Sequence, residues 1–380
     1  MPMTLNRLLM AAALCGAPSI AAAQPSEDAP KMHAAAGWTN TVYGAVRAGY
    51  EWVDTDPNYD FVGANDGFVL HRARLGLRGQ NAEHGLSYDL SFEGATDVSD
   101  GINTPQGHLD ARLRDAFVRW DPSAYIGVQL GQFKAPLIGE EMRSLSDLLF
   151  IQRAVGVEGV PVGRGFEQRG LAVGRQMGLM LSPAKPITIA GDMGAKYYLM
   201  VGNGNGANQS LDDNGELAMI GRVELNYGEY LVLGGGAMMN ARSEGTLPNL
   251  IKEEDLTIAG DLLVKFFGVE VFGQFIQRTT SYVTVGGTED RKQQAFHGQI
   301  NYELPLAIPV IPGYRFASFD PWGNRDDVAS ELTYHTVGVR VIHPQRELGL
   351  SLDINYTLTG EEAARELNND RLEALVQLQF

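Results

Sequence analysis

Between residues 347 and 359 apolar and polar positions alternate without interruption. Leu348, Leu350, Leu352, Ile354, Tyr356 and Leu358 share one parity; Gly349, Ser351, Asp353, Asn355 and Thr357 share the other. Successive side chains of an extended strand point to opposite faces, so one face of this segment meets an apolar medium and the other meets water. Residues 85–94 repeat the pattern, with Leu86, Tyr88, Leu90 and Phe92 against Ser87, Asp89, Ser91 and Glu93. The last segment sets Leu372, Ala374, Val376, Leu378 and Phe380 against Arg371, Glu373, Gln377 and Gln379. Sixteen such segments are predicted, over 41–52, 67–79, 85–95, 109–120, 124–133, 167–181, 187–201, 216–227, 229–241, 256–266, 268–280, 295–304, 308–319, 331–342, 347–359 and 369–380.

The connections alternate as well. Short turns follow the even segments, at 80–84, 121–123, 182–186, 227–228, 267–268, 305–308 and 343–346. Longer polar loops follow the odd ones, at 53–66, 96–108, 134–166, 202–215, 242–255, 281–294, 320–330 and 360–368. Strands of soluble proteins average about 5–6 residues, whereas these segments are long enough to cross a bilayer at a tilt. Trp52 at the loop side, and Trp120, Tyr125, Tyr227, Tyr230 and Phe266 at the turn side, sit where aromatic rings settle at a water–lipid boundary. In hydrocarbon, strands satisfy their backbone groups only by closing into a ring. The fold expected is therefore all-β: a 16-stranded antiparallel transmembrane β-barrel over 41–380, short turns at one rim and long loops at the other.

The N-terminus changes the compartment. Arg7, an apolar stretch from Leu8 to Ile20, and Ala21-Ala22-Ala23 form an export signal with cleavage expected near Ala23, leaving 24–40 as a short periplasmic segment. The apolar stretch is too short for a membrane anchor and is interrupted by Pro18. The only cysteine, Cys15, leaves with the signal, which excludes disulfides, thiol nucleophiles and iron–sulfur clusters from the mature chain. Loss of Arg7 moves the net charge from −16 to −17, a poor balance for binding nucleic acid.

Candidate chemistry lies on the polar faces. In 67–79, Val69, His71, Ala73, Leu75 and Leu77 form the apolar face, so Arg72, Arg74 and Arg78 point into the lumen; an arginine on the lipid face near the midplane would cost about 2–4 kcal/mol. Arg47 is luminal by the same argument, opposite Val42, Val46 and Tyr50. A row of guanidinium groups offers anions successive weak sites. The competing reading is that luminal Asp89, Glu93 and Asp115 pair with these arginines and cancel their field. The longest loop, 134–166, holds Lys134, Arg143, Arg153 and Arg164, with four glycines between 156 and 165 and a short helix expected within 140–152. A loop of this length usually has a function. Gly170, Gly174 and Gly178 on one face of the following segment would let it bend inward against the wall. The alternative is a surface lid. Glu140, Glu141, Asp147 and Glu158 share the loop and weaken any anion preference.

Several stretches resemble the phosphate-selective porin O/P family of outer-membrane porins. They are Arg72-Ala73-Arg74-Leu75-Gly76-Leu77, Leu113-Arg114-Asp115-Ala116-Phe117-Val118, Gly131-Gln132-Phe133-Lys134-Ala135-Pro136, Ser144-Leu145-Ser146-Asp147, Phe150-Ile151-Gln152-Arg153-Ala154, Asn203-Gly204-Asn205-Gly206 and Ala259-Gly260-Asp261-Leu262. The resemblance spans most of the chain, with its specific motifs in the first half. It implies sixteen strands, a homotrimer, a third loop folded into the pore and a phosphate- or polyphosphate-like preference. Terminal Phe380 matches the end that the outer-membrane barrel assembly machinery reads.

The reading that follows is a passive porin in outer-membrane lipid for small anionic or neutral solutes, with an anion path formed by Arg47, Arg72, Arg74, Arg78, Lys134, Arg143, Arg153 and Arg164, and no cofactor, metal or catalytic residue. A weakly selective or cation-preferring porin remains open. So do a barrel lipase or protease, and a non-conducting adhesion or structural barrel. For the enzyme, His71 and His335 are placed on the lipid face, away from any rim site. The seven histidines (His33, His71, His84, His108, His297, His335 and His343) have no metal spacing. Leu211-Asp212-Asp213-Asn214-Gly215-Glu216 could offer carboxylates to calcium, but lacks a regular set of oxygen ligands and reads as a loop turn.

Overall fold

The computed structural model describes residues 37–64, 66–96, 109–161, 163–209, 211–212, 214–246, 249–283, 288–325, 330–362 and 366–380. The export signal and its cleavage point, nearly all of the 24–40 segment and residues 97–108 of the second loop lie outside them.

Sixteen strands form the wall: β1 Thr39–Val53, β2 Gly67–Asn81, β3 Leu86–Thr96, β4 Leu109–Trp120, β5 Gly127–Lys134, β6 Arg175–Ser182, β7 Met193–Gly202, β8 Ala218–Tyr227, β9 Leu231–Thr246, β10 Asn249–Phe266, β11 Val269–Tyr282, β12 Arg291–Tyr302, β13 Val310–Asp320, β14 Leu332–Ile342, β15 Leu350–Glu361 and β16 Arg371–Gln379. Each pairs antiparallel with its neighbour in sequence, and β1 pairs with β16 from Ala45↔Gln379 to Val53↔Arg371, which closes the ring. Gly44 and Phe380 extend the seam by exchanging backbone hydrogen bonds of 2.8 and 3.1 Å. A closed ring leaves no unpaired strand edge.

Burial runs opposite to that of a water-soluble protein. Phe68 is 77% exposed and Leu130 62%, whereas Asp353 is 0% and Gln132 1% exposed. The apolar parity of the strands faces outward and the polar parity inward, which is the stable arrangement when the surrounding medium is lipid. Trp120, Tyr125, Tyr227, Tyr230, Phe266 and Phe267 are exposed at the short-turn rim.

The structure revises several boundaries. The turn expected at 182–186 is instead an irregularity: Ile187–Ala190 continues alongside β7, and the chain reverses at Gly191-Asp192, so that Ala190 faces Met193. Residues 167–174 belong to the third loop rather than to β6. The loop expected over 242–255 is mostly strand, since β9 and β10 stay paired from Leu231↔Val264 out to Thr246↔Asn249. Alternation is weak there because both parities carry polar residues and Leu250 and Ile251 are adjacent. The helix expected within 140–152 is reduced to one turn, α1 Gly139–Met142, followed by a 3-10 turn Leu145–Asp147 and a second short helix, α2 Val155–Glu158.

Two bulges re-aim charged side chains. Arg47 faces Arg72 while Ala48 faces Leu70, which leaves His71 as an extra residue in β2. The His71 Nδ1 is buried, and the charges acting on the ring are those of the inward-facing Arg47, Arg72, Glu373 and Arg164, so His71 lies on the inner side and not on the lipid face. His335 does face outward, with its Nδ1 2.6 Å from the Tyr314 hydroxyl. In β4, Leu90↔Ala116 and Phe92↔Leu113 leave one surplus residue, which brings both Arg114 and Asp115 inside.

Candidate functional site

The third loop, residues 135–174, is fixed to the polar face of the wall by its own backbone. Arg47 on β1 donates to the Ile151 carbonyl (3.2 Å) and pairs with Asp353 of β15 (2.7 Å). Arg340 on β14 grips the same Asp353 (2.6 and 2.9 Å) and donates to the Leu148 and Ser146 carbonyls (2.6 and 3.2 Å). Arg315 on β13 reaches the Gln152 carbonyl (2.9 Å), and Arg222 on β8 reaches Leu137 (2.9 Å) while held by a two-pronged pair with Asp261 (2.7 and 2.9 Å). Asn355 and Gln274 accept the Ile151 and Glu140 N–H groups.

The loop also turns an apolar side to the wall. Leu137, Ile138, Val155, Val157 and Leu171 cluster with Ala218, Ile220, Met238, Ala259, Ile276, Ala295, Ala317 and Phe319, which point inward from β8 to β13. Gly156 and Gly313 allow the closest approach: a β-carbon on either would collide with Ala295 or Leu149. The glycines expected to do this have other roles. Gly170 faces the loop's own backbone, Gly178 faces the β7 backbone, and Gly174 takes a left-handed turn (φ +72°) into β6.

The loop carboxylates are turned to structural work. Glu140, 1% exposed, accepts the Ala154 N–H (3.1 Å) and lies 3.6 Å from Arg315. Glu141 accepts the Val173 and Gly174 N–H groups (2.8 and 3.0 Å), and Glu158 accepts that of Arg153 (2.8 Å). Asp147 is exposed. In the fourth loop, Asp212 and Asn214 accept the N–H groups of Asn214 and Glu216, and the Glu216 carboxylate pairs with Lys252.

A second group of cations lies on the remaining arc, β2 to β6. Arg72 and Arg74 contact one oxygen of Glu93 (3.1 and 2.8 Å), and Arg114 pairs with the other. Arg175 forks onto Asp115 (3.0 and 2.8 Å). Lys134 donates to the Arg143 carbonyl (2.8 Å), and Arg153 to the same carbonyl (3.3 Å); neither pairs with a carboxylate among the described residues. The charges acting on Lys134 are those of Arg153, Arg175, Arg114 and, in the opposite sense, Glu141, so these cations form one patch. Arg74 and Arg114 side chains are 14% exposed, and Arg175 is 12%. Arg78, nearer the short-turn rim, is exposed and stacks 4.0 Å over the Tyr43 ring, whose hydroxyl donates to Asp89 (2.6 Å).

The expected residues therefore separate. Arg72, Arg74, Lys134 and Arg153 come together. Arg143 pairs with Glu270 (2.7 Å). Arg47, 1% exposed, is an anchor of the loop beneath its surface. Arg164 is buried against Glu51 (2.5 and 2.6 Å). Burial alone would lower its pKa, but Glu51 and Glu373 outweigh this and raise it above the ordinary arginine value, so it stays charged. Arg114 and Arg175 were missed. Adjacent charges at 114 and 115 were the available sign, because strict alternation would have forced one of them into lipid.

A closed sixteen-stranded barrel, apolar outside and polar within, is the architecture of outer-membrane porins. This chain belongs to the family described as phosphate-selective porin O and P, whose profile matches residues 41–245, from β1 into β9. Solved structures extend the similarity around the whole ring. The anion-selective porin from Comamonas acidovorans has a TM-score of 0.58 at 15% identity, covering 90% of this chain and 100% of its own. The outer membrane channel DcaP of Acinetobacter baumannii has 0.59 at 11%, covering 91% and 99%. A loop-deletion mutant of OmpT from Vibrio cholerae has 0.57 at 9%, covering 90% and 100%. No curated protein sequence matches the chain.

Proposed function

We propose that this protein is a passive, water-filled porin that lets small hydrophilic solutes diffuse across the outer membrane, with a preference for anions set where the third loop narrows the lumen. The observation that carries the reading is the patch along β2 to β6: four arginines (Arg72, Arg74, Arg114 and Arg175) pair with only two carboxylates, Glu93 and Asp115, and Lys134 and the loop's Arg153 beside them pair with none. The loop's bonds run mainly to β1, β8, β11 and β13 to β16, and we place the free passage along the arc of this patch. A local field of that sign acts on solutes even though the whole chain is acidic, because charges beyond about 8–10 Å are screened. The family and the anion-selective relative support the same preference, and family resemblance extends it to phosphate-like solutes. The reading includes export with cleavage near Ala23, a homotrimer, recognition of Phe380 by the assembly machinery, and transport without catalysis.

The test is the zero-current potential across a planar bilayer under a potassium chloride gradient, repeated with phosphate. The expected potential has the sign of anion permeation. A cation-selective potential would overturn the role of the patch, and absence of any current would overturn the porin.

A further inference from the structure

The bulge in β4 that brings both Arg114 and Asp115 inside is held from two sides. The ladder between β4 and β5 ends at Ala116↔Gln132, so it does not reach the carbonyls of Leu113 and Arg114. The Gln132 side chain takes over where the ladder stops: its Nε2 donates to the Leu113 carbonyl (3.0 Å) and to the Arg114 carbonyl (2.9 Å). Its Oε1 accepts the N–H of Asn208 in the fourth loop (2.6 Å). These partners fix which way the amide points, because carbonyls only accept and a backbone N–H only donates. On the other edge, Ser91 of β3 accepts the Asp115 N–H on its hydroxyl (3.2 Å). Gln132 is 1% and Ser91 0% exposed, so water does not replace either.

A bulge interrupts the ladder and leaves backbone groups that need partners. Here side chains supply them. Gly131, at φ +131°, lets β5 come close enough, since a β-carbon there would collide with the Ala116 carbonyl oxygen. Phe133 packs edge-on against Phe117 at 6.1 Å, and Lys134 follows in the patch. Without the amide, two buried carbonyls would lose their donor. Sliding the surplus residue along β4 would then relieve them, and a one-residue slip turns a side chain to the opposite face. Either Arg114 would leave Glu93 or Asp115 would leave Arg175.

We propose that Gln132 is a positioning residue of the cation patch: locked by Asn208 of the fourth loop, it pins the β4 bulge and so keeps Arg114 and Asp115 facing the lumen together. The link to selectivity rests on the porin reading; the pin itself does not.

One experiment needs no conduction. The only cysteine, Cys15, precedes the barrel, so Arg114→Cys in a Cys15→Ser background offers a single thiol. A water-soluble, membrane-impermeant maleimide should label it in the reconstituted barrel, and about tenfold more slowly once Gln132→Leu is added, because a thiol turned toward lipid ionises poorly. Equal labelling would overturn the proposal. In a bilayer under a potassium chloride gradient, Gln132→Leu should lower the anion-to-cation permeability ratio about twofold, as loss of one lumen charge would, and should change nothing further in an Arg114→Gln barrel. A shift of the same size there would show that Gln132 does not act through Arg114, and would overturn the positioning role. Asn208→Gly keeps the N–H and the left-handed backbone (φ +63°) and should match the parent. Asn208→Pro removes that N–H from an exposed loop position and should reproduce part of both effects even if Gln132→Leu does not fold; a parent-like Asn208→Pro barrel would overturn the lock. Slowed labelling in a barrel with no anion preference would overturn the porin's selectivity and uphold the pin.

Discussion

Arginines line both sides of the lumen, but their surroundings differ. On the arc from β13 around to β1, Arg47, Arg315 and Arg340 are 1–8% exposed and spend their donors on loop carbonyls, backed by Asp353 and Glu140. On the arc from β2 to β6, three arginines share the single carboxylate of Glu93, and Lys134 and Arg153 have none. The same side chain is mortar where its donors are spent on loop carbonyls and buried acids, and a source of field where partly exposed cations outnumber acids. A charge buried beneath the loop is out of a solute's reach; a partly exposed surplus is not.

The comparison can be broken at several points, in descending order of effect. Deleting 140–160 should raise single-channel conductance strongly if, as proposed, the loop narrows the lumen; an unchanged conductance would refute that placement. Asp353→Ala strips Arg47 and Arg340 of their counter-ion at once. Breaking a buried pair costs about 3–5 kcal/mol, so the temperature at which the detergent-solubilised barrel unfolds should drop and the open-channel current should become noisier. Joint replacement Arg74→Gln and Arg114→Gln should leave unfolding nearly unchanged but lower the anion-to-cation permeability ratio about fivefold, the equivalent of about 1 kcal/mol in a water-filled site. Arg47→Gln removes one charge from the tied side; it should reduce stability and hardly move the zero-current potential. If it shifted selectivity as much as the pair on the other arc, the division would be wrong. Last, raising the salt to 1 M shortens the screening length to about 3 Å and should erode selectivity without loosening the loop.

Much of the ring was legible because lipid imposes a strict pattern. Residues 347–359 announce β15, and both its faces are as expected. The misplacements arise where that pressure lapses. Arg242 to Asp255 carries polar residues on both parities, and the reversal at Gly191-Asp192 follows a weak alternation through Pro183 and Pro186. Bulges mislead in a different way. His71 is itself a surplus residue, and one more falls at Arg114-Asp115, which a strict period of two cannot represent. The pairing of the arginines was hidden by distance along the chain: Arg47 and Asp353 are 306 positions apart, and no local pattern links them. The patch itself was half visible, through Arg72, Arg74, Lys134 and Arg153.

That separation has a bearing on how the barrel is built. Lys134 through Gly174 are synthesised in the first half of the chain, yet the groups that seat this stretch, Arg315, Arg340, Asp353 and Asn355, arrive with the last four strands. Complete seating of the loop therefore needs the closing strands as well as β1, β8 and β11. A polypeptide lacking its final hairpin would lose the seam partner of β1 and two of the loop's holdfasts, Asp353 and Asn355, in a single stroke.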